Sequence, residues 1–268
     1  MKRRLRILVL AVLAILPMFV KRTLYRWLFG YRIGRGVRIG VAFIDCRDLT
    51  IGDGTTIGHG TIFWRCGEVR IGRQVVIGAL NLFRGGVALQ LEDYAMILRL
   101  NVINAIIEPD FTRPPDSTFR LGYGSVLTAE HRIDFTDRVT IGRRSILGGR
   151  NSSIWTHNRR DGQPVMIGDF CYIGSEIRMA PGSSIPSRSI VGLASVITGK
   201  IEVEAHLIAG VPAKPRRALN ESDLVLIYDK TRRDLPDEEC DQPATFNSGV
   251  AGIEAAQVDL GRLTDKRR

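Results

Sequence analysis

Four histidines, His59, His131, His157 and His206, are the side chains of this sequence whose unperturbed proton affinity suits general-base work near neutral pH. His157 stands apart because it opens a polar stretch, HNRRDGQ, where one block of regularly spaced apolar residues meets the next. A histidine there is expected to be solvent-accessible and held near the edge of a folded block, ready to accept a proton. The cysteines Cys46, Cys66, Cys171 and Cys240 show no CxxC pair and no regular spacing, which predicts free thiols in a reducing compartment. Cys171, between Phe170 and Tyr172, reads as a packing residue. Catalytic zinc needs three converging ligands, and His59, His131 and His157 are far apart in sequence.

The elements that must position His157 are set by a period of six. Ile167, Ile173, Met179, Ile185, Val191, Ile197 and Val203 fall on one count, and the residue after each is mostly small: Gly168, Gly174, Ala180, Pro186, Gly192 and Thr198. Six matches neither a helix nor a single long strand, so it describes a repeat unit. A hexapeptide supplies one short strand and a corner, and three close one coil of a parallel β-helix with the aliphatic residue inside. The count also holds at Ile33, Ile39, Ile51, Ile57 and Phe63, with Asp45 in the remaining slot. It slips by two and resumes at Ile71, Ile77 and Phe83, then at Leu91, Ile97 and Ile103, and returns through Phe135, Ile141 and Leu147. Between Asn104 and Gly124 it fails, and EPDFTRPPD reads as an excursion because Pro cannot continue a strand ladder. The β-helix is expected from about Ile33 to Ile208, in roughly eight or nine coils.

Charge marks the N-terminal end. Ten basic residues precede the first acid, Asp45, and equal the whole net charge of +10, which argues against a nucleic-acid-binding body. Residues 7–20, ILVLAVLAILPMFV, are apolar with basic flanks, shorter than the ~20 residues a spanning helix needs. They predict a shallow or re-entrant amphipathic helix, bent near Pro17, that associates with the cytoplasmic face of a membrane through residues 1–29, the alternative being a helix packed on the protein itself. The organisation read from the sequence is residues 1–30 as this basic and apolar helix, 31–217 as the β-helix, and 218–268 as a short helix and a disordered tail.

Three stretches carry a family resemblance. TH-x6-PVMIGDFCYIG, then MAPGSSIPSRSIVGLASVITGK, then AGVPAKP resemble the hexapeptide-repeat acyltransferases, and EHRID with IGRRSILGGRNSSIWTH is similar to the branch acting on surface or lipid-linked sugars. The resemblance covers roughly 33–217 and implies a left-handed parallel β-helix, a homotrimer with grooves between protomers, and transfer of an acetyl group from acetyl-CoA to a carbohydrate hydroxyl without a metal. It implies His157 as general base. His131 and Asp134 match an HxID element in which His131 binds acceptor, positions His157 or is structural. Gly174, Ser175, Ala194, Ser195, Lys200 and Lys214 correspond to segments lining the CoA groove, with backbone N–H groups near Gly174 facing an oxyanion. Tyr172 stands where many relatives have Trp. The competing readings are a non-catalytic β-helix scaffold and a zinc hydratase resembling the γ-class carbonic anhydrases.

Overall fold

The computed structural model describes residues 3–106, 116–158, 160 and 162–227. Short parallel strands stack into three faces of a solenoid of eight complete turns. On the first face the inward ladder runs Ile33, Ile51, Ile71, Leu91, Leu121, Ile141, Ile167 and Ile185. The second runs from Ile39 through Ile57, Ile77, Ile97, Leu127, Leu147, Ile173 and Val191 to Ile208. The third runs Ile44, Phe63, Phe83, Ile103, Ile133, Ile154, Met179 and Ile197. Every one of these side chains is buried, and together they form one continuous core. Branched aliphatic residues suit such ladders because each packs on its counterpart in the turns above and below.

Two corners of each turn are sharp, and from the second turn to the eighth each uses a residue in the left-handed region. Gly54, Gln74, Tyr94, Gly124, Arg144, Phe170 and Arg188 do this between the first and second faces; Gly60, Leu80, Leu100, Glu130, Asn151, Glu176 and Ala194 do it between the second and third. The third corner is looser. Strands Phe43–Ile51 and Ile62–Ile71 run through it, the two-residue slips fall there between Phe63 and Ile71 and between Phe83 and Leu91, and both chain excursions leave from it.

Several expectations need correction. Asp45 does not hold the inner slot: a register shift after Ile44 puts Ile44 inside, and Asp45 accepts a 2.7 Å bond from Arg6 Nε. The ladder residue of the fifth turn is Ile133, and Phe135 is buried beyond it, against Gly86 and Phe119. Regular structure resumes at Thr118–Leu121 rather than at Gly124, with Phe119 and Leu121 facing inward. Val203 is exposed, since the chain leaves the ladder after Ile197. It returns as His206–Gly210, which pairs antiparallel with Ala213–Ala218. A short helix, Leu224–Ile227, follows; the rest of the tail, with Cys240, lies outside the described residues.

The first turn is closed by two helices, α1 (Arg3–Ile15) and α2 (Met18–Phe29), broken at Pro17, whose missing N–H cannot continue a helix. Leu10, Leu13, Ala14 and Tyr25 are buried beneath them. Lys21 donates from Nζ to the carbonyls of Ile39 and Gly40, capping strand ends that have no preceding turn to bond; burial lowers its pKa. Arg6 bonds the Cys46 carbonyl and lies over the Phe29 ring. Among the described residues no helix is long and apolar enough to cross a membrane.

Close stacking at the first corner explains the glycines there. A Cβ on Gly122 would lie 2.5 Å from the Gly142 carbonyl carbon and 2.6 Å from its oxygen, and a backbone cannot move aside as a side chain can. Gly122→Ala is expected to cost about 1–3 kcal/mol, a drop of roughly 2–4 °C in Tm per kcal/mol for a chain of this size. Gly199→Ala, where nothing lies within 4 Å, is the control expected to leave the thermal melt unchanged.

Candidate active site

His157 follows the third-face strand Ser153–Ile154 at the loose corner between the sixth and seventh turns. Its side chain is exposed, as the polar stretch predicts. The backbone beneath it is tied down by Asp134, one turn earlier and buried. Asp134 Oδ1 accepts from the Thr136 N–H at 3.1 Å, from Thr156 Oγ1 at 2.9 Å and from the His157 N–H at 3.2 Å, while Oδ2 accepts from Thr136 Oγ1. Thr156 Oγ1 in turn accepts from the Asp137 N–H, and Asp137 Oδ2 from Gln163 N. Both ends of the 157–163 loop are therefore fixed to one carboxylate-centred network.

His131 sits elsewhere. It is fully buried at the corner between the second and third faces, in a column of polar residues that continues from turn to turn. Thr61 Oγ1 accepts from the Asn81 N–H, Asn81 Oδ1 from the Asn101 N–H, Asn101 Oδ1 from the His131 N–H, His131 Nδ1 from the Ser152 N–H at 3.1 Å, and Ser152 Oγ from the Ile177 N–H. Because Nδ1 accepts, the proton of the neutral ring is on Nε2, which lies 2.9 Å from Thr128 Oγ1. Burial pushes the His131 pKa down to about 4. The column was visible in the sequence: Thr61, Asn81, Asn101, His131 and Ser152 each stand two residues before the inward residue of the third face.

Of the expected CoA-lining residues, the structure brings Gly174, Ser175, Ala194 and Ser195 together at that same corner, where the Ala194 N–H donates to the Ser175 carbonyl. Ser195 is buried; its hydroxyl donates to the Gly192 carbonyl and accepts from the Gly210 N–H, leaving only backbone for a ligand. The Gly174 N–H donates to the Val191 carbonyl at 2.9 Å. Lys200 is exposed beside Ser184 at the loose corner, and Lys214 is exposed on the terminal hairpin, so the two lysines belong to different edges. Cys171 is buried, its thiol pushed up to about 12 by desolvation. It is an inert packing residue. His59 accepts the Val41 N–H in the second turn, and His206 opens strand His206–Gly210, so the histidines stay in separate turns.

Sequence reasoning missed what lies between the corner of Ser175 and the corner of His157. A cleft of about 280 Å³ opens on the third face, lined by Glu130, Arg132, Asn151, Ser152, Ser153, Glu176 and Arg178. The outward positions of this face are Phe43, Ile62, Leu82 and Val102 in the first four turns and Arg132, Ser153 and Arg178 in the next three. Beside them Trp155, half exposed, stands two residues before His157. Once the register is known, this change from apolar to polar is the signal that marks the surface.

No family model matches the chain. Its sequence is similar to the galactoside O-acetyltransferase of Escherichia coli (strain K12), 25% identical over 130 residues, 45% of this chain and 64% of that protein. The match thus spans just under two thirds of the relative's length. Among solved structures, the UDP-N-acetylglucosamine acyltransferase of Campylobacter jejuni aligns with a TM-score of 0.56 at 19% identity, covering 79% of this chain and 77% of that one. The polysialic acid O-acetyltransferase OatWY aligns at 0.53 and 18% identity, covering 76% and 98%. The fold is that of the hexapeptide-repeat acyltransferases, and the sequence match is to one of them.

The buried ring of His131 makes stability depend on pH in a defined window. Unfolded, the ring binds a proton below about 6.5; folded, it does so only below about 4, so between these values the unfolded chain binds more protons. Stability is expected to fall as pH drops from about 6.5 to about 4. His131→Asn, which keeps an acceptor as in the two preceding turns, is expected to flatten that slope in urea titrations across the window.

Proposed function

We propose that the chain, a solenoid of the hexapeptide-repeat acyltransferase kind, is a CoA-dependent O-acetyltransferase acting on a carbohydrate hydroxyl, with His157 as general base. The observation that carries this is the pairing of an exposed imidazole with a backbone held by the buried Asp134. The imidazole is exposed, and the backbone that carries it is held in place. The similarity to a galactoside O-acetyltransferase supports the reaction class.

In this reading His157 takes the proton of the sugar hydroxyl as the oxygen attacks the thioester carbonyl. Collapse of the tetrahedral adduct breaks the carbon–sulfur bond, and the imidazolium returns its proton to the departing CoA thiolate. Holding thioester and hydroxyl side by side supplies much of the acceleration, because the encounter becomes an oriented one. The donor suits the corner of Gly174, Ser175 and Ala194, where the side chains are small, and Lys200 and Lys214, which lie on other edges, are the basic residues proposed for its phosphates. In one protomer that corner and His157 flank opposite edges of the third face, so a trimer that sets the edge of one protomer against its neighbour completes each site. The cleft with Glu130, Glu176, Arg132 and Arg178 suits a sugar, with carboxylates and guanidinium groups for its hydroxyls. His131 serves as a rung of the polar column, and Asp134 positions His157. The basic, apolar N-terminal helices support a place at the inner surface of a cell membrane, with a lipid-linked acceptor in surface polysaccharide or glycolipid synthesis.

Purified protein incubated with acetyl-CoA and a panel of lipid-linked and free sugars, read by mass, tests the reaction. With a working acceptor, His157→Ala is expected to lower kcat by about 10²–10⁴ while the melt and CoA binding stay unchanged. Normal turnover in that variant would remove the base assignment. Asp134→Ala is expected to lower kcat with little change in acceptor KM, because it loosens the base without touching substrate.

A further inference from the structure

The two capping helices are apolar on both sides. On α1, Leu10, Leu13 and Ala14 face the core, while Leu8, Val12 and Ile15 recur at helical spacing on the opposite side and are 64%, 57% and 71% exposed. On α2, Lys21 and Tyr25 face the first turn, and Phe19 and Trp27 are 75% and 80% exposed. A helix apolar all round is normally covered all round. Here the solenoid covers one side only.

The charges around this surface say what the other cover is. Arg3, Arg4 and Arg26 are exposed and Arg22 half-buried beside it, and no acid precedes Asp45, which is itself bonded to Arg6. A second copy of the same surface would bring like charges together, whereas an anionic lipid surface takes both the apolar ridge and the basic rim. Trp27 and Phe19 beside arginines are the residue types that settle at the headgroup level. The helices meet the solenoid chiefly through strands Arg32–Ile33 and Phe43–Ile51, at its first end.

We infer that the outer face of α1 and α2, centred on Leu8, Val12, Ile15, Phe19 and Trp27, is a docking surface for anionic lipid bilayers. The same helix pair is thus end cap and membrane foot, lying on the bilayer without crossing it. This deepens and rests on the membrane part of the function proposed above, but its test needs no acetyl transfer, so it stands or falls apart from the reaction.

The experiment is co-sedimentation of the full chain with vesicles of phosphatidylcholine alone and of phosphatidylcholine containing about a third phosphatidylglycerol. The wild type is expected to bind the anionic vesicles about tenfold or more tightly than the neutral ones, and to lose that preference in high salt. Leu8→Glu, Val12→Glu and Ile15→Glu together are expected to abolish binding with an unchanged thermal melt, since all three side chains point away from the core. If that variant melts without cooperativity, the set Leu8→Ala, Val12→Ala and Ile15→Ala is read instead and is expected to weaken binding several-fold. Wild-type protein that ignores both vesicles overturns the inference. So do substituted protein that binds as the wild type does, and a wild-type solution mass that halves on substitution, which would assign the surface to a second copy.

Discussion

Each turn of this solenoid must pass its backbone hydrogen bonds to the next in register, and the rest of the molecule follows from that requirement. Along the faces, strand pairing meets it. At the sharp corners the backbone turns away from its neighbours, and an N–H left buried without a partner would cost about 1–3 kcal/mol. Short polar side chains fill this role. Thr55 accepts the Val75 N–H, Ser125 that of Ser145, and Ser145 that of Cys171 at the first corner; Thr61, Asn81, Asn101, His131 and Ser152 form the column at the second. The interior is thus an aliphatic core with hydrogen-bonded seams. A ring with two nitrogens fits such a seam as well as an amide does.

That requirement also separates what was legible in the sequence from what was not. The inward ladder was readable because its aliphatic residues sit at a fixed spacing. The loose corner was not, because added residues there change the count without changing the face, as between Phe63 and Ile71, and the chain regains its register at Thr118. The terminal hairpin was hidden because AKPRRA has no alternation of apolar and polar residues. Burial of His131 is legible only from its own column, where it stands, like Asn81 and Asn101, two residues before the inward residue of the third face.

The candidate base lies at the loose corner, away from both columns. Its side chain is exposed there, while Asp134 reaches across a turn to hold its backbone N–H. The third face changes from apolar to polar at Arg132, one turn before the His157 loop.

The helices that close the first turn and the loop of His157 are separated by a fixed stack of rows. At about 4.7–4.9 Å per row, five to six rows put His157 roughly 25–30 Å along the axis from the capped end. A solenoid is stiff along that axis because each row is hydrogen-bonded to the next, so the separation acts as a gauge. A hydroxyl presented from the plane of the cap reaches the imidazole only if its carrier extends about that far. The number of turns before the loop sets which part of a long chain is within reach.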